Sequence, residues 1–294
     1  MKSLGNLLNE RQRESILKSW SKFSGNILSK AGLTAVAIVI FLAITSPWLA
    51  PYPESWARWV DYSQASKPPS ISHLFGTDIY GRDILSRIMY AFRFDLIMVI
   101  GCLSIDVIPG TILGLLAGYY RGSPLDNVIM RITDIFLAIP TIVLALAVAS
   151  LLEPNMFNTM MAVASLWWPW YSRLAYSLTT SIRNEYFVQA AELIGASPYH
   201  IMFREILPNM LSPIFTKLSL DVGWVILISS TMSYVGLGVQ EPLPALGNMV
   251  ASGSRYMPDY WWMVVFPALA IAFVIMGFNL LGDGIRDMLS VEEI

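Results

Sequence analysis

Cysteine and histidine are scarce in this sequence. Its 294 residues contain one cysteine, Cys102, and two histidines, His73 and His200. A single cysteine cannot form a disulfide within the chain, and so few ligands nearly exclude paired-histidine haem sites and most zinc chemistry. No Gly-Lys pair occurs anywhere, which excludes a phosphate-binding loop of the GxxxxGK(S/T) kind. The sequence therefore predicts no metal site and no nucleotide-binding loop of this kind.

Charge is equally scarce. Charged residues make up 14% of the chain and hydrophobic residues 55%, against about 25% and 45–50% in ordinary soluble domains. A soluble protein of this size would have too little polar surface to cover its core, so lipid must cover part of it. The predicted fold class is an all-α integral membrane protein.

Six apolar runs are long enough to cross a bilayer, for which a helix needs about 20 residues. Pro109, Pro140 and Pro169 lie within these runs and predict kinks. The first run follows a long amphipathic leader and precedes no small-residue cleavage pattern, so it is predicted to be a retained signal-anchor. The six predicted spans cover residues 31–50, 94–120, 134–152, 160–181, 213–238 and 261–282.

Lys and Arg concentrate on one side of this predicted topology, most heavily in the leader. The positive-inside rule then places both termini and residues 183–212 in the cytoplasm. The leader contributes Lys2, Arg11, Arg13, Lys18, Lys22 and Lys30. The predicted organisation is a cytoplasmic leader (1–30), a first span (31–50), an extracytoplasmic loop (51–93), a five-helix core (94–282) and a cytoplasmic tail (283–294).

Three glycines, Gly110, Gly114 and Gly118, recur at four-residue spacing in the second predicted span. Such a stripe allows another helix backbone to approach closely. The alternative is that they face lipid by chance. Their common register favours a packing surface, although it does not identify the partner helix.

The cytoplasmic segment between the fourth and fifth spans carries helix signals of its own. Residues 183–194 contain strong helix formers, and Gly195 suits a left-handed C-terminal cap. Ser197 and Pro198 then form an N-cap followed by proline in the first turn. A second short helix is predicted over residues 199–206, ending before Pro208.

This second helix would present Tyr199, Met202, Phe203 and Ile206 on one face. A helix of about two turns is not stable alone in water, so the pattern predicts a docking surface. The partner of this surface would be either a separate protein or the membrane surface together with neighbouring helix ends.

The same segment resembles the EAA motif of ABC importer permeases. The resemblance rests on Gln189-Ala190-Ala191, Gly195 and Leu207-Pro208, which keep the motif's spacing. Gln189 stands where the family has Glu, and Glu205 where it usually has an aliphatic residue. The resemblance implies a coupling helix that docks on an ATP-hydrolysing subunit through Gln189, Ala190, Ala191, Gly195, Tyr199, Met202, Phe203, Leu207 and Pro208.

A second motif lies between the first two spans and comprises Gly76, Thr77, Asp78, Gly81, Arg82 and Asp83. It resembles a signature of the second ("C") permease of importers for dipeptides and oligopeptides, a branch that includes importers of nickel chelates and oligosaccharides. Arg82, Asp83 and Arg87 could form a local ion-pair cluster. A folded loop that shields the closed pathway is favoured over direct substrate contact. The segments 234–249 and 279–287 resemble the same branch, with Leu246 where tryptophan is usual.

The resemblance implies a type I ABC importer permease fold in the plasma membrane, without enzymatic activity of its own. Implied partners are a homologous second permease, two ABC ATPase subunits and an extracytoplasmic solute-binding protein, with no nucleic acid. This chain would bind no cofactor, because ATP and Mg would be held by the ATPase subunits. Peptides are the first expected substrate and oligosaccharides the second.

Asp106 and Asp221 are predicted inside spans, where a carboxylate is a functional candidate. Trp168 lies with them as a possible pathway residue, inside an aromatic patch. Ion coupling would make the chain a secondary transporter, which is the main alternative function. Hydrogen bonding to neighbouring helices or lining a wet pathway is favoured. A membrane redox subunit is a second alternative, with few ligands available for it.

Overall fold

The computed structural model describes residues 21–56 and 59–289, and the named elements in these ranges are all helices. Their one strand-like feature is an isolated bridge between Thr77 and Asp83. Residues 1–20 of the predicted leader and 290–294 of the predicted tail lie outside the described ranges. The main helices are α1 (Ile27–Leu49), α2 (Ile84–Tyr119), α3 (Pro124–Ala138), α4 (Thr141–Ala149), α5 (Met156–Ile182), α6 (Tyr186–Leu193), α7 (Pro198–Val235), α8 (Leu246–Ser254) and α9 (Trp262–Leu289).

Four of these helices, α1, α2, α7 and α9, are long and apolar enough to cross a membrane. The pair α3 and α4 also passes this test when taken together. The described part of the chain therefore holds four candidate spans, or five with the pair counted as one. This confirms an all-helical protein with several apolar spans. The predicted count of six also needs α5, which is not among these candidates.

Of the three prolines predicted to kink spans, one separates two helices and the other two lie within continuous helices. Pro140 separates α3 from α4, whose axes differ by 89°. Pro109 and Pro169 instead lie inside the uninterrupted helices α2 and α5. The predicted third span, residues 134–152, is therefore a sharply bent pair rather than one straight helix.

The helix of the second span begins at Ile84 rather than at Phe94. Asp83 caps it, because its carboxylate accepts a hydrogen bond from the Ser86 N–H at 2.8 Å. The first turns of α2 are almost wholly buried. Hydropathy missed this start because Arg87 and Arg93 lower the apolar average, whereas the cap fixes where the helix begins.

The glycine stripe in α2 faces α5. A Cβ at Gly110 would lie 2.5 Å from the Trp168 carbonyl oxygen, and one at Gly118 would lie 2.7 Å from Thr179 Cβ. A Cβ at Gly114 would overlap the Ser172 carbonyl oxygen. These are backbone and Cβ atoms that cannot rotate away. The predicted packing role of the stripe is confirmed, and its partner is α5.

Replacing Gly114 by valine is therefore expected to destabilise the folded chain. Overpacking costs about 1–3 kcal/mol where neighbours can shift and more where they cannot, and here the obstacle is backbone. Thermal unfolding in detergent should show a clear fall in Tm. Gly25→Val is the matched control, because Gly25 is exposed and a Cβ there would meet nothing within 4 Å. Equal stability of both variants would contradict the close α2–α5 contact.

The chain places its loops at two ends of the bundle. At one end the start of α1 meets the end of α9, where a Cβ on Gly284 would lie 2.6 Å from Ser29 Oγ. At the other end the indole N–H of Trp262, at the start of α9, donates to the Thr77 carbonyl at 3.2 Å. The two motifs found in the sequence consequently lie at opposite ends, since α2 begins at one of them and its last residue, Tyr119, accepts a hydrogen bond from Arg183 beside the other.

Candidate functional site

The loop between α5 and α7 is built by the caps that its sequence predicts. Gly195 has φ +80° and follows α6, and the Ala196 N–H donates to the Ala191 carbonyl at 3.0 Å. This is the hydrogen-bond pattern of a left-handed helix C-cap. Ser197 then accepts a hydrogen bond from the His200 N–H at 3.2 Å, with Pro198 in the first turn of α7. The predicted C-cap and N-cap are both confirmed.

The predicted end of the second helix before Pro208 is wrong. Residues Ile201–Ile206 form a π-helical turn, in which the Leu207 N–H donates to the Met202 carbonyl five residues earlier. Pro208 follows directly, where the shifted hydrogen-bond pattern accommodates a residue without an N–H. The helix therefore continues to Val235, and the short helix predicted from sequence is the first part of a long span.

The structure divides the docking face predicted for this helix. Met202 and Ile206 are buried in the chain's own core, with 5% and 0% of their surface exposed. Tyr199 is 69% exposed and packs on the half-buried Phe203, with ring centroids 4.7 Å apart. Met202 is therefore placed to hold the loop on the helical bundle rather than to contact another protein.

The most exposed apolar side chains of the loop lie at the two ends of α6 instead. Tyr186, Leu193 and Ile194 are 86–88% exposed. Gln189 and Ala190 are exposed beside them, whereas Ala191 is buried. Sequence reasoning missed Leu193 and Ile194, although two adjacent aliphatic residues before a glycine cap in a segment outside the membrane were a usable signal. We call Tyr186, Leu193, Ile194 and Tyr199 the loop apolar surface.

At the opposite end of the bundle, the second motif folds onto its own loop. Gly76 and Gly81 have φ +75° and +80°, a conformation that other residues rarely adopt. A Cβ on Gly76 would lie 2.7 Å from both the Lys67 carbonyl oxygen and Trp262 Cδ1. Thr77 accepts the Lys67 N–H at 2.8 Å and donates its hydroxyl to the Gln64 carbonyl at 2.5 Å. The motif residues thus close a compact loop against α9.

The charged residues of this motif form two groups rather than one. Asp83 lies 3.0 Å from the His73 ring and caps α2, apart from the arginines. Arg82 instead pairs with Asp78 at 2.7 Å and with Glu241 at 2.6 Å. The predicted cluster of Arg82, Asp83 and Arg87 is therefore wrong in one member. Sequence reasoning missed Glu241, which lies far away in the chain.

Glu241 is shared between two buried arginines. Arg87 contacts it at 3.2 Å, and the side chains of Arg82 and Arg87 are only 6% and 1% exposed. Burial favours the neutral form of Glu241, but the positive Arg87 and Arg82 reverse this and hold its pKa below the ordinary value. Burial likewise opposes the charge of Arg82, yet Glu241 and Asp78 raise its pKa. The cluster stays ionised and connects α2 to the α7–α8 segment.

The candidate pathway residues lie in the middle of the bundle. Asp221 is 3% exposed and accepts the Trp167 indole N–H at 3.0 Å. Lys217 approaches the same carboxylate to 3.0 Å. Asp106 is fully buried, with no hydrogen-bond partner for either carboxylate oxygen among the described residues. Trp168 packs edge-on against Phe136.

Two cavities of about 560 and 540 Å³ adjoin this site and share Lys217, Asp221 and Trp224. Their linings extend along α7 from Thr231 to Ser212. At about 1.5 Å per helical residue this span is about 28 Å, close to the roughly 30 Å of a bilayer's hydrocarbon core. We call the two cavities together the α7 trough.

Comparison with known proteins gives the family. Residues 110–291 match the model of the binding-protein-dependent transport system inner membrane component. A probable D,D-dipeptide transport system permease protein of Escherichia coli strain K12 is 40% identical over 265 residues, which cover 90% of this chain and 88% of the relative. This chain belongs to that family. It is a permease subunit of an ABC importer and a multi-pass membrane protein.

Further matches agree with this assignment. Residues 17–69 of the permease match the N-terminal transmembrane domain of oligopeptide transport permease C. A di/tripeptide transport system permease protein of Pseudomonas aeruginosa strain UCBPP-PA14 is 37% identical over 92% of this chain and 90% of its own length. A glutathione transport system permease protein of Pectobacterium atrosepticum is 36% identical over 92% of this chain and 89% of its own length. The ion-driven alternative is not favoured.

Two further residues of the permease escaped sequence reasoning. Lys217 lies in the fifth predicted span and was not singled out, although it lies one helical turn before Asp221 and a cation inside a span is a signal. Glu241 had no local signal, because its arginine partners are separated from it by more than 150 positions.

Proposed function

We propose that this permease imports peptides delivered by an extracytoplasmic solute-binding protein. The observation that carries the proposal is the match of residues 17–69 to the N-terminal domain of oligopeptide permeases. The names of its relatives, which refer to dipeptides, di/tripeptides and glutathione, agree with it. Oligosaccharides are the second substrate class implied by the resemblance of the extracytoplasmic motif.

The proposed topology has six spans with both termini in the cytoplasm. The bent pair α3–α4 serves as the third span, and α5, at 27 residues, is long enough for the fourth. The Lys and Arg excess of the leader supports a cytoplasmic start. The contact of Ser29 with the end of α9 supports placing both termini on one side. Residues 51–83 and 236–261 then lie outside.

The homologous second permease is proposed to cover the α7 trough. Lys217, a cation inside α7, lines this trough. Charged side chains within spans avoid lipid and face other helices or water. The groove between α1, α2, α7 and α9 is lined almost entirely by apolar residues, with Arg93 as the one charged residue among those described there, and suits lipid. The pathway would therefore run along α7, at the interface of two permeases.

Two ATPase subunits are proposed to bind at the cytoplasmic end, one of them on the segment 186–208 of this chain. The loop apolar surface is exposed to water in the isolated chain, and large exposed apolar patches mark interaction sites. ATP and Mg would be bound by those subunits. The coupling helix would comprise α6 and the exposed start of α7.

In this mechanism the residues of the permease transmit motion and perform no covalent chemistry. ATP-driven closure of the ATPases pulls the coupling segment, and the π-helical turn at Ile201–Ile206 connects the exposed start of α7 to the rest of that helix without a break. Movement of α7 relative to the second permease opens the trough outward, so that the binding protein can release its substrate. Hydrolysis then restores the inward-open state.

The test is peptide uptake by proteoliposomes that contain the complete transporter and its binding protein. We expect uptake of a labelled tripeptide that requires ATP and persists when an uncoupler removes the ion gradient. Uptake that stops with the uncoupler while ATP is held constant would favour the ion-driven transporter. ATP-driven uptake of an oligosaccharide, without uptake of peptide, would support the second substrate class.

A further inference from the structure

We propose that Lys217 binds the free carboxylate of the substrate as it passes along the α7 trough. The inference rests on the proposed import of peptides and names the chemical group that the permease itself would recognise. It begins from the position of Lys217, which in the described part of the chain is the one cation that lines both cavities of the trough.

The ammonium of Lys217 is held in place on three sides. Asp221, one helical turn away, accepts from it with both oxygens within 3.1 Å. The rings of Trp170 and Tyr171 have their centroids 5.7 and 5.3 Å from Nζ, within the distance at which a cation is attracted to an aromatic face. These contacts fix the direction of the ammonium, so little conformational entropy is lost when it binds an anion.

Lys217 offers hydrogen-bond donors toward the trough, whereas Asp221 offers only acceptors, which a substrate carboxylate cannot use. An ammonium has three donors, and the Lys217 side chain is 24% exposed while that of Asp221 is 5% exposed. The Asp221 carboxylate is already committed to Lys217 and to the Trp167 indole. Asp221 is therefore a positioning residue, and Lys217 is the group that an arriving substrate meets.

The charges lining the trough select an anionic group over a cationic one. Among the residues that the structure describes, Asp221 is the only acidic one in the linings, and Arg286 adds a second cation in the cavity that extends toward the cytoplasmic end. The trough thus has an excess of positive charge, and a free carboxylate would meet Lys217 first and Arg286 next. In such a partly desolvated site, charge-assisted hydrogen bonds are stronger than in water.

The rest of the trough suits side chains of varied chemistry. Trp170, Trp224, Leu227 and Ile228 supply apolar walls. The cavity volume of about 560 Å³ lies within the range of about 300–1,000 Å³ for small-molecule sites. One fixed cation beside an adaptable apolar wall recognises the terminal group common to all peptides and leaves their sequence unread.

The experiment compares uptake of tritiated trialanine with uptake of its C-terminal amide, in proteoliposomes of the complete transporter with saturating binding protein. The uptake of each peptide by a variant is divided by the wild-type uptake of the same peptide, so that any preference of the binding protein cancels. We expect Lys217→Met to lower uptake of the free acid about tenfold and that of the amide by no more than about twofold. Lys217→Arg should retain most uptake of both peptides.

Arg255→Met is the matched control, because Arg255 is an exposed cation outside the trough. The double variant Lys217→Met/Asp221→Asn guards against misfolding, since it leaves no unpaired buried carboxylate, and should show the same loss for the acid alone. Equal losses for both peptides, or no loss for either, would overturn the inference. A wild-type complex that takes up neither peptide overturns the proposed function itself, which is a distinguishable result.

Discussion

Replacing Leu193 and Ile194 by aspartate is expected to abolish ATP-driven transport while the permease stays folded in the membrane. Both side chains are more than 85% exposed in the isolated chain, so the change costs the fold little. A few well-packed residues near the centre of an interface carry most of its binding energy, each about 2 kcal/mol or more. Co-purification of the ATPase subunits should therefore fall by about tenfold or more.

The control is Ile71→Asp, which places one aspartate on a fully exposed aliphatic residue at the other end of the bundle. It should leave ATPase co-purification unchanged. Met202→Asp should behave differently from both, because it buries a charge in the core and lowers the yield of folded permease. Normal association of the Leu193→Asp/Ile194→Asp variant with the ATPases would show that the coupling surface lies elsewhere.

Glu241→Gln is expected to destabilise the extracytoplasmic end of the permease. The change leaves Arg82 and Arg87 facing a neutral amide, and removing one partner of a fully buried ion pair costs about 3–5 kcal/mol. Glu241 is itself 35% exposed, so water compensates in part, and we expect a loss of about 2 kcal/mol. Thermal unfolding in detergent measures it, with Glu153→Gln as the exposed control. An unchanged Tm would contradict a structural role for the cluster.

The pH dependence gives this prediction a second readout. Because the pKa of folded Glu241 lies below its ordinary value, its stabilising contribution is present above the ordinary carboxyl pKa. It is lost as the pH falls through the lowered value. Arg82, whose pKa is raised, stays charged throughout. As the pH falls, the wild-type permease should therefore lose this stabilising contribution, which Glu241→Gln lacks at every pH. The difference in Tm between the two should narrow.

Local signals in the sequence were sufficient for the caps and the close helix contact. Gly195 and Ser197 act within a few residues of themselves, so their types predicted the turn that the structure contains. The stripe of Gly110, Gly114 and Gly118 predicted a packed face for a similar reason, since only small residues allow backbones to touch. The stripe could not identify α5 as the partner helix, because the same glycine spacing would suit any helix packed against it.

Hydropathy and motif spacing determined that this chain is a helical, multi-span membrane protein and a permease subunit of an ABC importer. The first property follows because lipid requires long apolar helices. The second follows from motif residues whose order and spacing are visible in the sequence. Only the tertiary structure decided which side chains are buried, which are exposed and which form ion pairs. It buried Met202, exposed Leu193 and Ile194, joined Glu241 to arginines more than 150 positions away, and placed Lys217 at a cavity. Burial and charge pairing depend on neighbours that are distant in sequence, and periodicity within one segment does not contain them.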